Sequence, residues 1–179
     1  GGGIIQKGKV LTGSTGAGGE IGHIKVEFNN PVLCGCGNRG CLEQYASATG
    51  IVRMAKESLR EDSVLAKCPD ITAKDVFDGA KAGDAYCREI VERFGRYLGI
   101  ALSNVAHVVD PEAFVIGGGV SAAGPIIIDV VEKYYNENAM YALKDKEFHL
   151  AELGNDAGIY GAVRMVLFCL LYTSPSPRD

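Results

Sequence analysis

The spacing of apolar residues gives the chain three textures. Ile4-Ile5-Gln6 and Lys9-Val10-Leu11 flank Lys7-Gly8, which predicts a hairpin with glycine in its turn. Ile24, Val26 and Phe28 then alternate with Lys25 and Glu27, the period of a half-buried strand over Ile21–Phe28. Residues 43–109 are mostly helical in pattern. The longest helix is expected from Asp84 to about His107, where Ile90, Phe94, Tyr97, Ala101 and Val105 recur at steps of three or four. Glu89/Arg93 and Glu92/Arg96 supply i,i+4 pairs on its other side. Asp110-Pro111 ends it, because a residue before proline avoids the helical region.

The third texture alternates strands with helices. Phe114-Val115-Ile116 is a short apolar strand running into Gly117-Gly118-Gly119. Pro125 suits the first turn of a helix reaching about Tyr135. Phe148–Leu153 reads as another strand, and Asn155-Asp156 can cap a last helix from near Ala157. This order predicts an α/β layer.

Composition adds bounds. The 179 residues are 47% hydrophobic and 22% charged, enough apolar material for a core. A net charge of −4 disfavours a nucleic-acid or membrane-surface partner, which would call for basic stripes. No apolar run reaches the roughly 18–20 residues of a membrane span, and no basic segment precedes an apolar one at the start. The last eleven residues, Cys169–Asp179, look like an in-frame translation of a sequencing-library adapter. With no Met ahead of Gly1-Gly2-Gly3, residues 1–168 read as a fragment cut at both ends, with an extended or poorly packed tail after Phe168.

The sharpest chemistry lies in Cys34-Gly-Cys36-Gly-Asn-Arg-Gly-Cys41, with His23 eleven residues upstream. Three thiolates and an imidazole suit structural Zn2+, and Gly35, Gly37 and Gly40 let the backbone turn tightly enough to gather them. A Cys34–Cys36 disulfide would instead close a very tight ring and leave Cys41 over, and unligated thiols would be reactive. Cys68 and Cys87 stand in helical surroundings and read as packing residues. Without an even cysteine framework, the chain reads as cytoplasmic. His107, at a helix end, reads as structural, and His149 has no metal-like neighbours.

Glu20 and Glu43 flank the cysteine segment. Beside an imidazole, two carboxylates can accept hydrogen bonds from vicinal sugar hydroxyls; Glu43 could equally serve a helix start. Gly1–Gly3 and Gly117–Gly119 offer backbone amides that could approach phosphate. Gly117-x-Gly119-x-x-Ala122 also fits a loose dinucleotide pattern, but no acid ends a strand at the required distance.

Taken together, Gly18-Gly-Glu20-Ile-Gly-His23 and Cys34-Gly-Cys36-Gly-Asn-Arg-Gly-Cys41-Leu-Glu43 closely resemble the signature of the ROK family, bacterial sugar kinases and sugar-responsive repressors. The resemblance extends to Gly1–Ile5, Asp110-Pro-Glu112, Val115–Gly119 and Gly154-Asn-Asp-Ala-Gly158, and so across residues 1–168; its overall look is that of a ROK glucokinase. It implies an α/β, actin-like or hexokinase-type (ribonuclease H-like) ATPase lobe with an inserted zinc-binding loop, residues 18–45, and a helical layer. It implies ATP with Mg2+ and structural Zn2+ as cofactors and a hexose as partner, with a homo-oligomer when full-length. Glu20, His23 and Glu43 match sugar-contacting positions. His23, Cys34, Cys36 and Cys41 match zinc ligands. Gly1, Gly2 and Gly3 match the end of a phosphate loop, and Gly117, Gly118 and Gly119 an adenosine-side loop. The family's catalytic Asp and its N-terminal lobe lie upstream of Gly1, so no catalytic residue is assigned in this chain, Asp156 included. The implied reaction is phosphorylation of glucose, with fructose, N-acetylmannosamine or allose as alternatives. The other class is a repressor whose helix-turn-helix precedes the same lobes.

Overall fold

The computed structural model describes residues 1–172. It opens with the expected hairpin, β1 (Ile5–Gln6) antiparallel to β2 (Lys9–Val10). Lys7 and Gly8 both have positive φ, 52° and 74°. That is the turn whose twist matches paired strands.

The alternation over Ile21–Phe28 does not form a strand. Ile21–His23 is a 3-10 turn, and only Lys25 makes a bridge, to Cys41. Residues 26–40 then fold back on themselves instead of meeting a partner strand. Val26 and Glu27 both donate to the Gly40 carbonyl, at 2.9 and 3.4 Å.

Helices follow: α1 (Glu43–Ala46), α2 (Ala48–Glu57), α3 (Ala73–Lys81) and α4 (Ala85–Val109). Thr72 and Asp75 close a capping box on α3. Asp84 caps α4, its carboxylate accepting from the Cys87 N–H at 2.8 Å and the Val64 N–H at 2.8 Å. The helix stops at Val109, with Asp110 left-handed at φ 44° ahead of Pro111. Ile90, Phe94 and Ala101 are buried as the stripe required. The expected i,i+4 pairs give way to longer reaches: Glu89 pairs with Arg60 at 2.5 Å and Glu92 with Lys133 at 2.9 Å.

β3 (Ala113–Ile116) and β4 (Glu147–Leu150) pair in parallel, joined through α5 (Ile126–Asn138), which Pro125 immediately precedes. β4 ends at Leu150, short of Leu153, because the chain turns into the 3-10 segment Gly154–Asp156. α4 and α5 approach closely at two glycines of α4. A Cβ on Gly95 would lie 2.3 Å from Val130, and one on Gly99 2.7 Å from the Val131 carbonyl. Phe114, Tyr135 and Phe148 fasten the strands to α5, with ring centroids 5.0–5.3 Å apart. His107 Nε2 accepts from the Met140 N–H at 3.2 Å, the structural task expected of it.

α6 (Ala157–Tyr172) starts at the expected residue, directly after the 3-10 segment Gly154–Asp156. Its backbone stays helical through Tyr172, so the chain is not extended directly after Phe168; the rest of the tail, residues 173–179, lies outside those described. Among the described residues, no helix is long and apolar enough to cross a membrane.

Candidate metal and sugar site

Two turns build the site. The first is the 3-10 segment after Gly19, whose φ of 87° lets the chain double back. The His23 N–H donates to the Glu20 carbonyl at 3.1 Å. In a 3-10 turn, residues three apart share a face. Glu20 Oε2 accordingly lies 4.0 Å from His23 Nε2, with both side chains partly open to solvent. The second turn is Cys34–Asn38. The Cys34 N–H donates to the Asn38 carbonyl at 2.8 Å and the Gly37 N–H to the Cys34 carbonyl at 3.0 Å. Cys41 follows, bridged to Lys25.

These turns bring His23, Cys34, Cys36 and Cys41 together, with their ligand atoms all within 4.8 Å of one another. Cys36 Sγ and Cys41 Sγ are 3.7 Å apart, and Cys34 Sγ and His23 Nδ1 are 3.6 Å apart. For Zn–S and Zn–N bonds of ordinary length, a tetrahedral set has edges of about 3.8 Å between sulfurs and about 3.6 Å between sulfur and nitrogen. The donor set therefore fits Zn2+. The cysteines carry no disulfide, whose sulfurs would be about 2.05 Å apart.

The three thiols are held unequally. The Cys36 thiol drops to about 7, drawn down by the Asn38 N–H and by the Cys34 thiol. The Cys36 N–H favours the Cys34 thiolate, but the Glu43 carboxylate, burial and the two neighbouring sulfurs outweigh it and push that thiol up to about 12. Burial pushes the Cys41 thiol up as well. A bare pocket cannot hold three thiolates, and a cation among them removes the repulsion.

Glu43 opens α1, where an acid suits the helix dipole, and its carboxylate accepts from the Cys34 thiol at 2.9 Å. That hydrogen bond, and then the nearby His23, hold its carboxyl below the usual range. Its side chain flanks Gly22, whose missing Cβ would also approach the Gly1 nitrogen at 3.8 Å. Gly1 thus lies near Gly22 and Glu43, and Gly2 lies against Ile21 and Gly19. Gly117–Gly119 stand apart, exposed at the end of β3. The one close neighbour a Cβ there would meet is Ala151, 3.1 Å from Gly117. Gly118 has φ 81°.

The three loop glycines are not equivalent. Gly37 and Gly40 take φ of 88° and 80°. Gly35 has no positive φ and open space around it, so it is not required in the way its spacing suggested. The spacing also gave no sign of a pair of hydrogen bonds behind the cluster, Tyr97 Oη to Glu27 and Val32 N–H to Tyr45 Oη. A tyrosine on an apolar stripe reads as core. An aliphatic hollow of about 370 Å3, walled by Ile4, Ile21, Ile24 and Val105, adjoins Glu20.

The ROK family model matches residues 1–168. The chain belongs to the ROK family. It is 45% identical over 168 residues to a glucokinase of Halalkalibacterium halodurans, covering 90% of this chain and 51% of that one. It superposes on a ROK family glucokinase from Streptomyces griseus, solved in complex with glucose and AMPPNP, with a TM-score of 0.80 and 32% identity. That match covers 91% of this chain and 55% of the solved one. The DNA-binding transcriptional dual regulator NagC of Escherichia coli is 33% identical over 146 residues, covering 80% of this chain and 36% of that protein. This ROK chain thus spans about half the length of the glucokinases it matches, and it shares their mixed α/β fold.

Proposed function

We propose that this chain is the zinc- and sugar-bearing part of an ATP-dependent hexose kinase of the actin-like or hexokinase type, with glucose as the substrate. The observation that carries the reading is the single imidazole between two sites. Nδ1 of His23 faces the Cys34 sulfur while Nε2 faces Glu20. One ring nitrogen can serve a metal and the other a sugar hydroxyl. The metal fixes which nitrogen is free, the usual use of a histidine with two partners.

Glu20 and Glu43 accept hydrogen bonds from neighbouring sugar hydroxyls in this reading, and His23, with Nδ1 turned to the metal, donates its Nε2–H to a hydroxyl oxygen. Zn2+ bound by four protein atoms would hold the loop and leave no position for a reactive water. The open backbone amides of Gly1–Gly3 and Gly117–Gly119 suit the phosphates and adenosine of ATP with Mg2+. Phosphoryl transfer depends mainly on positioning and charge neutralisation. This chain supplies the positioning, and the resemblance puts the proton-accepting Asp ahead of Gly1.

The test fuses the N-terminal half of the H. halodurans glucokinase ahead of Gly1 and follows glucose 6-phosphate formation. ATP-dependent turnover is expected, with at least a 100-fold loss on Glu43→Gln or Cys36→Ser, of the order seen for lost positioning contacts. A folded fusion that turns over no hexose would refute the kinase reading. Relatives such as NagC make a sugar-binding regulator the second reading. Glucose binding without turnover would favour it.

A further inference from the structure

Two tyrosines, side by side, hold the loop that carries the four-ligand cluster. Tyr97, on α4, donates its hydroxyl to Glu27 Oε2 at 2.6 Å. Tyr45, on α1, accepts the Val32 N–H at 3.0 Å. Their rings meet at a centroid distance of 4.5 Å. Both held residues lean on Gly40. The Glu27 N–H points to the Gly40 carbonyl at 3.4 Å, and the Gly40 N–H donates to the Val32 carbonyl at 2.9 Å. Gly40 carries Cys41 directly after it. There is no slack at this point, since a Cβ on Gly40 would sit 2.1 Å from the Glu27 carbonyl oxygen.

From this geometry we infer that Tyr97, through Glu27, is a positioning residue that sets the metal affinity of the His23, Cys34, Cys36 and Cys41 cluster. The inference rests on the metal reading above. The hydroxyl touches no ligand. It fixes the loop backbone from which Cys41 projects, so the sulfurs need not be gathered when the ion arrives. The Glu27 carboxyl is held low chiefly by the tyrosine hydroxyl, as a persistent hydrogen bond would do. Outer partners that orient ligands in this way change metal affinity by about 10- to 100-fold.

The experiment titrates Co2+ into the full 179-residue chain and its Tyr97→Phe, Glu27→Gln and double variants, following the thiolate-to-metal and d–d absorption bands. Tyr97→Phe keeps the ring against Tyr45 and removes only the hydroxyl. We expect about 10-fold weaker Co2+ binding, a broadened d–d envelope, and a metal-free melting temperature close to wild type. Glu27→Gln, on the loop and outside the helical core, is expected to match it. The double variant is expected to lose no more than either single one. Unchanged affinity and spectrum in Tyr97→Phe, with tetrahedral Co2+ bound by wild type, overturns this inference alone. Additive losses in the double variant also overturn it. Failure of wild type to bind Co2+ overturns the metal reading and this inference with it.

Discussion

Replacing Gly40 with alanine adds one methyl group at the tightest point of the cysteine loop. Gly40 has φ 80°, and its new Cβ would stand 2.1 Å from the Glu27 carbonyl oxygen and 3.2 Å from Pro31. The nearest atom is backbone, so no side chain can swing aside. An L-residue in this conformation costs about 1–2 kcal/mol. Moving it away breaks the Gly40 N–H to Val32 and Val26 N–H to Gly40 hydrogen bonds, each worth about 1 kcal/mol. Together these reach about 3 kcal/mol, roughly 100-fold in a binding constant. The α4–α5 core lies elsewhere, so the loss is expected in metal affinity rather than in the main melting transition. Chelator competition for Zn2+, run beside far-UV melting, separates the two. Gly35→Ala is the control. It meets nothing within 4 Å and needs no positive φ, so its affinity should stay within about 3-fold of wild type, less than 1 kcal/mol. Equal damage from the two substitutions, or full affinity in Gly40→Ala, would refute the reasoning.

Two further outcomes concern the scaffold. Gly99→Ala drives a methyl into the Val131 carbonyl and Tyr134 Cβ, both 2.7 Å away; it should cost about 1–3 kcal/mol in urea unfolding, and a neutral result would mean that α4 and α5 are not in close contact. At Asp84, burial raises the carboxyl, but the N–H groups of Cys87 and Val64 prevail and hold it at about 2. The folded value lies below the unfolded 3.8, so the carboxylate's stabilisation over Asp84→Asn is full above pH 3.8 and is lost as the pH falls through about 2. Unfolding at pH 7 should show Asp84→Ala weaker by about 0.5–2 kcal/mol, the worth of a cap. A pH-independent difference between wild type and Asp84→Asn would contradict the assignment.

The sequence by itself determined several elements whose cause is local. The Lys7-Gly8 turn, the long helix starting near Asp84, the stop at Asp110-Pro111 and the helix after Pro125 follow from backbone chemistry within a few residues. The candidate ligands were legible for a similar reason, since thiols and imidazole have a narrow use when crowded. Where a decision needed a distant partner, the sequence was silent or misleading. Ile24, Val26 and Phe28 alternate as a strand does, but pairing extends only to the bridge at Lys25, and Phe28 is exposed. Glu92 pairs with Lys133 on α5 rather than Arg96 one turn along, a partner that only the packing of α4 on α5 supplies. Gly35 and Gly40 look alike in the string, and only the carbonyl of Glu27 tells them apart. Tertiary structure alone decided that the two nitrogens of His23 face different neighbours, and that tyrosine hydroxyls stand behind the sulfurs. Each is a relation between segments, set by packing, which no single stretch of sequence contains.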